Sequence, residues 1–183
     1  MDANPHISDA WYTAEGPDSD VALSTRVRLA RNLSGFLFPA TIKTDDAERV
    51  LSLSFDAVNK LENPDSYQMV RMSQLDSMGK RILAERGVIE PGVGSEPWRG
   101  IVIRNDGVLS MTVNMEDHLR LAAFAPGLSV QAAAKTVSDL DASLQKTLQF
   151  SALPGLGYLT SSLESLGSGM KVSVLLCLPA LTI

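Results

Sequence analysis

One cysteine and two histidines among 183 residues exclude several classes of site at once. Cys177, being alone, cannot form a disulfide within the chain, which points to a reducing, cytoplasmic setting. His6 and His118 lie far apart with no cysteine cluster beside them, so a zinc site has no ligands and no metal-ligating residues are assigned. No apolar run is long enough to span a bilayer, and the first twenty residues carry five acids and no Lys or Arg, the opposite of a signal peptide. Aromatics make up 5% of the chain; Trp11, Phe36, Phe38 and Trp98 are scattered and default to core packing. Excess positive charge is also missing. With a net charge of -5 and a pI near 5.0 the chain lacks the broad positive field that nucleic acid or an acidic membrane requires, so any anion site must be local.

What is present, 45% apolar and 20% charged residues, describes a soluble globular domain of ordinary core size. Residues 1–20, with Pro5, Gly16 and Pro17, read as an extended arm ending in the turn E-G-P-D-S-D, and 21–183 as the folded domain. A helix is predicted from Asp45 to about Leu61, with Asp45 and Glu48 as a capping box and Ala47, Val50, Leu51, Phe55 and Val58 on one side. A short strand at Y-Q-M-V-R-M and a helix from Ser73 to Arg86 follow, then a loop at E-P-G-V-G-S-E-P. From Ile101 the period changes to two, and N-D-G between apolar runs predicts a hairpin. On its second strand Leu109, Met111, Val113 and Met115 share one face; Glu116, His118 and Arg120 fall on the other if the strand continues. A helix is expected from Ser129 to Leu148, and V-S-V-L-L-C-L-P reads as a strand buried on both faces, with Cys177 an inert thiol inside it.

The stretch S-T-R-V-R-L-A-R, residues 24–31, is the most pointed feature of an acidic chain. Its bland reading is a solvated, salt-bridged face; its sharper reading is a seat for several negative charges. Arg26 and Arg28, two residues apart, point the same way from an extended segment and to nearly opposite sides of a helix. Other local strings carry nothing: S-x-x-K at Ser168 to Lys171 lacks its partner motifs, and no G-x-x-x-x-G-K-[ST] string occurs.

Three motifs in order, S-T-R-V-R-L-A-R-N-L at 24–33, N-M-E-D-H-L-R at 114–120 and G-Y-L-T-S-S-L-E-S-L-G-S-G-M-K at 157–171, resemble the ATP:guanidino phosphotransferases. The likeness is nearest to the bacterial McsB-type protein arginine kinases. It implies an α+β catalytic domain, an antiparallel sheet flanked by helices, here incomplete at the C-terminus and continuing past Ile183 in full-length members. It implies a kinase, a transferase moving the γ-phosphoryl group of ATP, with Mg²⁺ bridging the phosphates, to the guanidinium of arginine in protein side chains. Such transfer rests on positioning and charge neutralisation, and the planar fork of arginine suits phosphate oxygens. By resemblance Arg26, Arg28, Arg120 and Lys171 hold phosphates, Glu116 orients the acceptor guanidinium and takes its proton, and Ser162 stands at a thiol position. A homodimer is implied in the same way.

The sequence departs from the family pattern at Met115, where the pattern has a first acid, at Ser162 to Ser165, where it has C-P-T-N, and at Lys171, where it has arginine. A serine hydroxyl stays neutral near pH 7 where a thiolate would bring charge, and lysine keeps the charge without the fork. Two readings stay open beside the enzyme. Glu116 on residues alone is a surface acid paired with Arg120, and His118 a hydrogen-bonded structural histidine. The chain as a whole is alternatively a truncated or degenerate relative that binds nucleotide or a protein partner without transfer.

Overall fold

The computed structural model describes residues 11–179. The first half of the expected arm, His6 within it, and the last four residues lie outside that span. Eight strands and three helices follow in the order β1 (Ala22–Arg31), α1 (Thr44–Asn59), β2 (Tyr67–Arg71), α2 (Ser77–Glu85), β3 (Gly100–Arg104), β4 (Leu109–Val113), β5 (Leu119–Pro126), α3 (Val130–Leu144), β6 (Ala152–Leu153), β7 (Gly157–Tyr158) and β8 (Met170–Leu176). Six of the strands form one sheet in the order β2-β3-β4-β5-β1-β8, every neighbouring pair antiparallel. The α+β class and the antiparallel sheet flanked by helices are as expected.

Alternation along the strands gives this sheet two unlike faces. Val27, Leu29, Val102, Leu109, Met111, Leu119 and Leu121 point to one, where α1 brings Val50, Leu51 and Val58 and α3 brings Val137, Leu140 and Leu144 to build the main core. Helices on this face bury their apolar stripes against it, as their three- and four-residue spacing predicts. The opposite face is apolar toward β3, where Ile101 packs with Met72 and Ile89 while Leu75, Leu83 and Val88 from α2 and its flanking loops close over it, and at Phe124 of β5, which Trp11 covers. Beyond that cover, on β5, β1 and β8, the second face carries charge.

Several local expectations change. The capping box at Asp45 does not form: Lys43 occupies the N-cap without a side-chain bond, and Glu48 instead meets Arg71 at 2.9 Å. α2 starts at Ser77 rather than Ser73, because Asp76 accepts the Gly79 N–H at 2.6 Å and caps the helix there; Met72–Gln74 makes a separate single turn. α3 ends at Leu144 rather than Leu148. The N-D-G hairpin forms between β3 and β4, with Gly107 at φ 71. β4 stops at Val113, because Asn114 turns to φ 56 and its N–H closes on the His118 carbonyl at 2.9 Å. Met115 therefore leaves the face of Leu109, Met111 and Val113 and packs with the Met72 cluster on the other side of the sheet.

The C-terminal strand also differs from expectation. β8 is an edge strand paired only with β1, and Val172, Leu175 and Leu176 are exposed rather than buried on both faces. Cys177, just beyond it, is exposed as well, so it is not the buried thiol its apolar neighbours implied. Trp11 takes the packing role expected of it, stacked on Phe124 with centroids 5.4 Å apart.

Candidate active site

The register of three strands assembles the charged face. Arg28 lies opposite Ala122 of β5 on one side and Lys171 of β8 on the other; Arg26 lies opposite Phe124 and Ser173; Arg120 lies opposite Ala30. Directly opposed residues share a face in an antiparallel pair, so Arg26, Arg28, Arg120 and Lys171 all project from the side away from the main core. Arg31, the third arginine of the 24–31 stretch, has the other parity and turns inward. Its guanidinium grips both carboxylate oxygens of Asp141 on α3 at 3.0 Å each, with Tyr158 stacked 3.7 Å from it, and the pair is almost wholly buried. Two arginines of that stretch are thus offered outward and one holds the fold together.

Arg26 and Arg28 are partly shielded from solvent, and removal from water pushes both guanidinium pKa values down. For Arg28 the neighbouring Arg26 and Arg120 push the same way; for both, Glu90 opposes the shift. Each group would be stabilised by further negative charge in front of it. The Arg26 Nη1 donates to the Gly87 carbonyl at 2.7 Å, Arg28 approaches Glu90 at 3.8 Å, and Arg120 bonds Glu90 at 3.2 Å and also pairs with Glu116. Lys171, exposed, has no ion pair among the described residues.

Glu116 sits in the turn between β4 and β5, not on a continued strand, and its side chain is half exposed beside Arg120. The turn is held from below. His118 is fully buried, its Nδ1 accepting the Leu33 N–H at 3.0 Å and its Nε2 facing the Leu37 carbonyl at 2.9 Å, which is the structural role expected of it. With Nδ1 an acceptor and Nε2 the donor, the ring is neutral; burial pushes its pKa down. Asp117, buried, accepts from Asn32 Nδ2 at 2.7 Å and from the Ser161 N–H at 2.7 Å, while the Ser161 hydroxyl donates to the Glu116 carbonyl at 2.7 Å. These bonds tie all three sequence motifs into one unit and bring Ser162, the next residue, to the Glu116 turn.

Sequence reasoning missed Glu90, which lies in a stretch read only as loop, and missed the linking roles of Asn32 and Asp117. The latter two stood inside the quoted motifs, and that was the available signal. Glu90 gave none.

Known proteins resemble this chain. ATP:guanido phosphotransferase, C-terminal catalytic domain, matches residues 49–183, a span that holds Glu116, Arg120, Ser162 and Lys171. A protein-arginine kinase of Desulforamulus reducens is 38% identical over 98% of this chain and 51% of its own length. One from Geobacillus sp. is 34% identical over 95% of this chain and 49% of its own. The chain thus spans about half the length of the curated relatives it matches. Among solved structures, the duplicated taurocyamine kinase of Schistosoma mansoni with bound transition state analog components superposes with a TM-score of 0.81 at 24% identity, over 90% of this chain and 24% of that one. Lombricine kinase superposes at 0.73 with 21% identity, over 87% of this chain and 48% of that one. These two share the fold. With its family match covering most of its length, the chain belongs to the ATP:guanido phosphotransferases.

Proposed function

We propose that the chain carries out, or forms the catalytic half of a protein that carries out, transfer of the ATP γ-phosphoryl group to the guanidinium of arginine in protein side chains. The observation that carries this is the convergence of Arg26, Arg28 and Arg120 on one sheet face with Glu116 at its rim. Arg26, Arg28, Arg120 and Lys171 hold the polyphosphate: three planar forks and one ammonium neutralise charge and fix the chain of phosphates in line with an acceptor. Glu116 hydrogen-bonds the acceptor guanidinium, localising electron density on the attacking nitrogen and taking its proton. Its present partner is Arg120, whose fork loses one of its carboxylates when Glu116 turns to the acceptor. Ser162, next in sequence to the Ser161 that bonds the Glu116 carbonyl, is assigned to contribute a hydroxyl to that guanidinium. Magnesium, if bound with the nucleotide, would supply charge neutralisation at the phosphates; among the described residues no three His, Cys, Asp or Glu side chains gather into a metal site. The protein-arginine kinase relatives favour a protein substrate.

The test is phosphoarginine formation on an arginine-rich protein with Mg-ATP, followed by acid-labile phosphate release. Glu116→Gln should abolish transfer without weakening nucleotide binding, since the carboxylate meets the acceptor and what the nucleotide side loses is only an anion beside Arg120. Transfer that survives in Glu116→Gln sinks the assignment.

A second reading, nucleotide or partner binding without transfer, draws support from the neutral Ser162 hydroxyl at a position where a thiolate would add charge. Mg-ADP binding by a chain that forms no phosphoarginine selects it.

A further inference from the structure

The phosphate seat already contains an anion. Glu90 reaches from the segment after α2 across to β5 and β1, meeting Arg120 at 3.2 Å and Arg28 at 3.8 Å, while three residues earlier the Gly87 carbonyl takes the Arg26 Nη1 at 2.7 Å. One short loop thus offers an oxygen to each of the three arginines that project from the charged face. We propose that Glu90 is a built-in competitor for the phosphates, a carboxylate that occupies the anion seat in the empty protein and must leave for polyphosphate to bind. The inference rests on the assignment of this face to phosphate and adds the residue that sets its affinity.

Three features make Glu90 a competitor rather than a fixed structural partner. Its side chain is 65% exposed, whereas those of Arg28 and Arg120 are 14% and 16% exposed, so the carboxylate swings into water at little cost and the cations stay where they are. A carboxylate this exposed holds its partners weakly. Next, one singly charged carboxylate serves two guanidinium groups, with Arg26 and Lys171 left without an ion pair among the described residues, so a polyphosphate bearing several charges outbids it. Finally, the loop is anchored independently of Glu90: Ile89, beside it, is buried with Met72 and Ile101, and the Val88 N–H bonds the Leu83 carbonyl at 2.9 Å. The backbone therefore holds the carboxylate poised over the seat whether or not it is engaged. Glu116, the other carboxylate on Arg120, belongs to the acceptor side.

Titration calorimetry of the chain and its Glu90→Gln variant with two probes, ADP and inorganic tripolyphosphate, tests this. Gln keeps the size and removes the charge, and the exposed position tolerates it; matched circular dichroism and melting curves verify the fold. Removing one unit charge a few ångströms from the seat should tighten tripolyphosphate binding by about tenfold at low salt, an advantage that shrinks as salt screens the pair. Equal tripolyphosphate affinity in the two proteins, or weaker affinity in the variant, overturns the inference even if ADP binds and the kinase reading stands. Tighter tripolyphosphate binding in the variant with no ADP binding in either protein supports the competitor role and removes the nucleotide. Failure of both probes with both proteins overturns both.

Discussion

Arg28 on β1 and Lys171 on β8 face each other directly across an antiparallel strand pair. Like charges so placed disfavour the sheet, and no carboxylate pairs with Lys171 among the described residues to offset them. A site that binds a polyphosphate accepts that cost in exchange for charge in the right place. Lys171→Ala should therefore weaken tripolyphosphate and ADP binding about threefold to tenfold while leaving the melting temperature unchanged or slightly raised. Calorimetry reads both; a lower melting temperature with unaltered binding would show that Lys171 serves the fold instead.

The outward pair Arg26 and Arg28 should be decisive for anions. Arg26→Ala with Arg28→Ala removes two forks from the seat, and nucleotide binding should fall by at least about a hundredfold, given roughly a tenfold loss or more per charged hydrogen-bonding partner. Binding measured against salt concentration should also lose slope, because fewer charges are matched. Unchanged affinity in the double variant removes the phosphate clamp.

Arg31 makes the opposite prediction. It shares the same eight-residue stretch, yet its fork is spent on Asp141 within the fold, the side chains being 4% and 9% exposed. Asp141→Ala leaves a buried cation without its partner and should destabilise the chain by about 3–5 kcal/mol, read from urea denaturation. Arg31 also donates to the Ser168 carbonyl at 2.9 Å, so the segment leading to Lys171 should loosen in the same variant, seen as faster amide exchange there. A loss below about 1 kcal/mol would mean the pair relaxes into water.

Parity explains how much of this was legible in advance. That Arg26 and Arg28 share a face needed only the two-residue repeat of a strand, and the hairpin at N-D-G needed only its turn chemistry. The same repeat, run too far, put Glu116, His118 and Arg120 on one strand face; a single positive φ at Asn114 ends the strand and sends them to a turn tip, the interior and the next strand. Apolar composition likewise placed Cys177 inside, although burial of β8 depends on what lies beside it, which composition does not encode. Glu90 was invisible for a related reason: its role comes from where α2 lays its loop across the sheet, a tertiary fact with no local pattern. The exposure of Cys177 predicts its own chemistry. One thiol per chain should react with a disulfide reagent without denaturant, and slow labelling that speeds only in urea would show the site is covered.

His118 gives the fold its own pH dependence. Its Nδ1 must keep a lone pair for the Leu33 N–H, and burial pushes its pKa below the ordinary value, so the folded chain favours the neutral ring. An unfolded chain protonates that ring near pH 6.5. In the window between the lowered folded value and about 6.5 the unfolded state holds more protons, and stability falls as the pH drops through it. His118's contribution is thus complete above about pH 6.5 and is lost on acidification. His118→Gln, whose amide can accept from Leu33 and donate to Leu37 but cannot titrate, should be less stable than the parent at pH 7.5 through imperfect packing, yet should lose less stability between pH 7.5 and 5.5. Asp117, beside the ring, raises the His118 pKa and so works against the shift; Asp117→Asn should therefore steepen the acid loss, provided Asn32 and Ser161 stay bonded to the new amide. Parallel melting curves for parent and His118→Gln across that range would show the buried ring is not the group that senses acid.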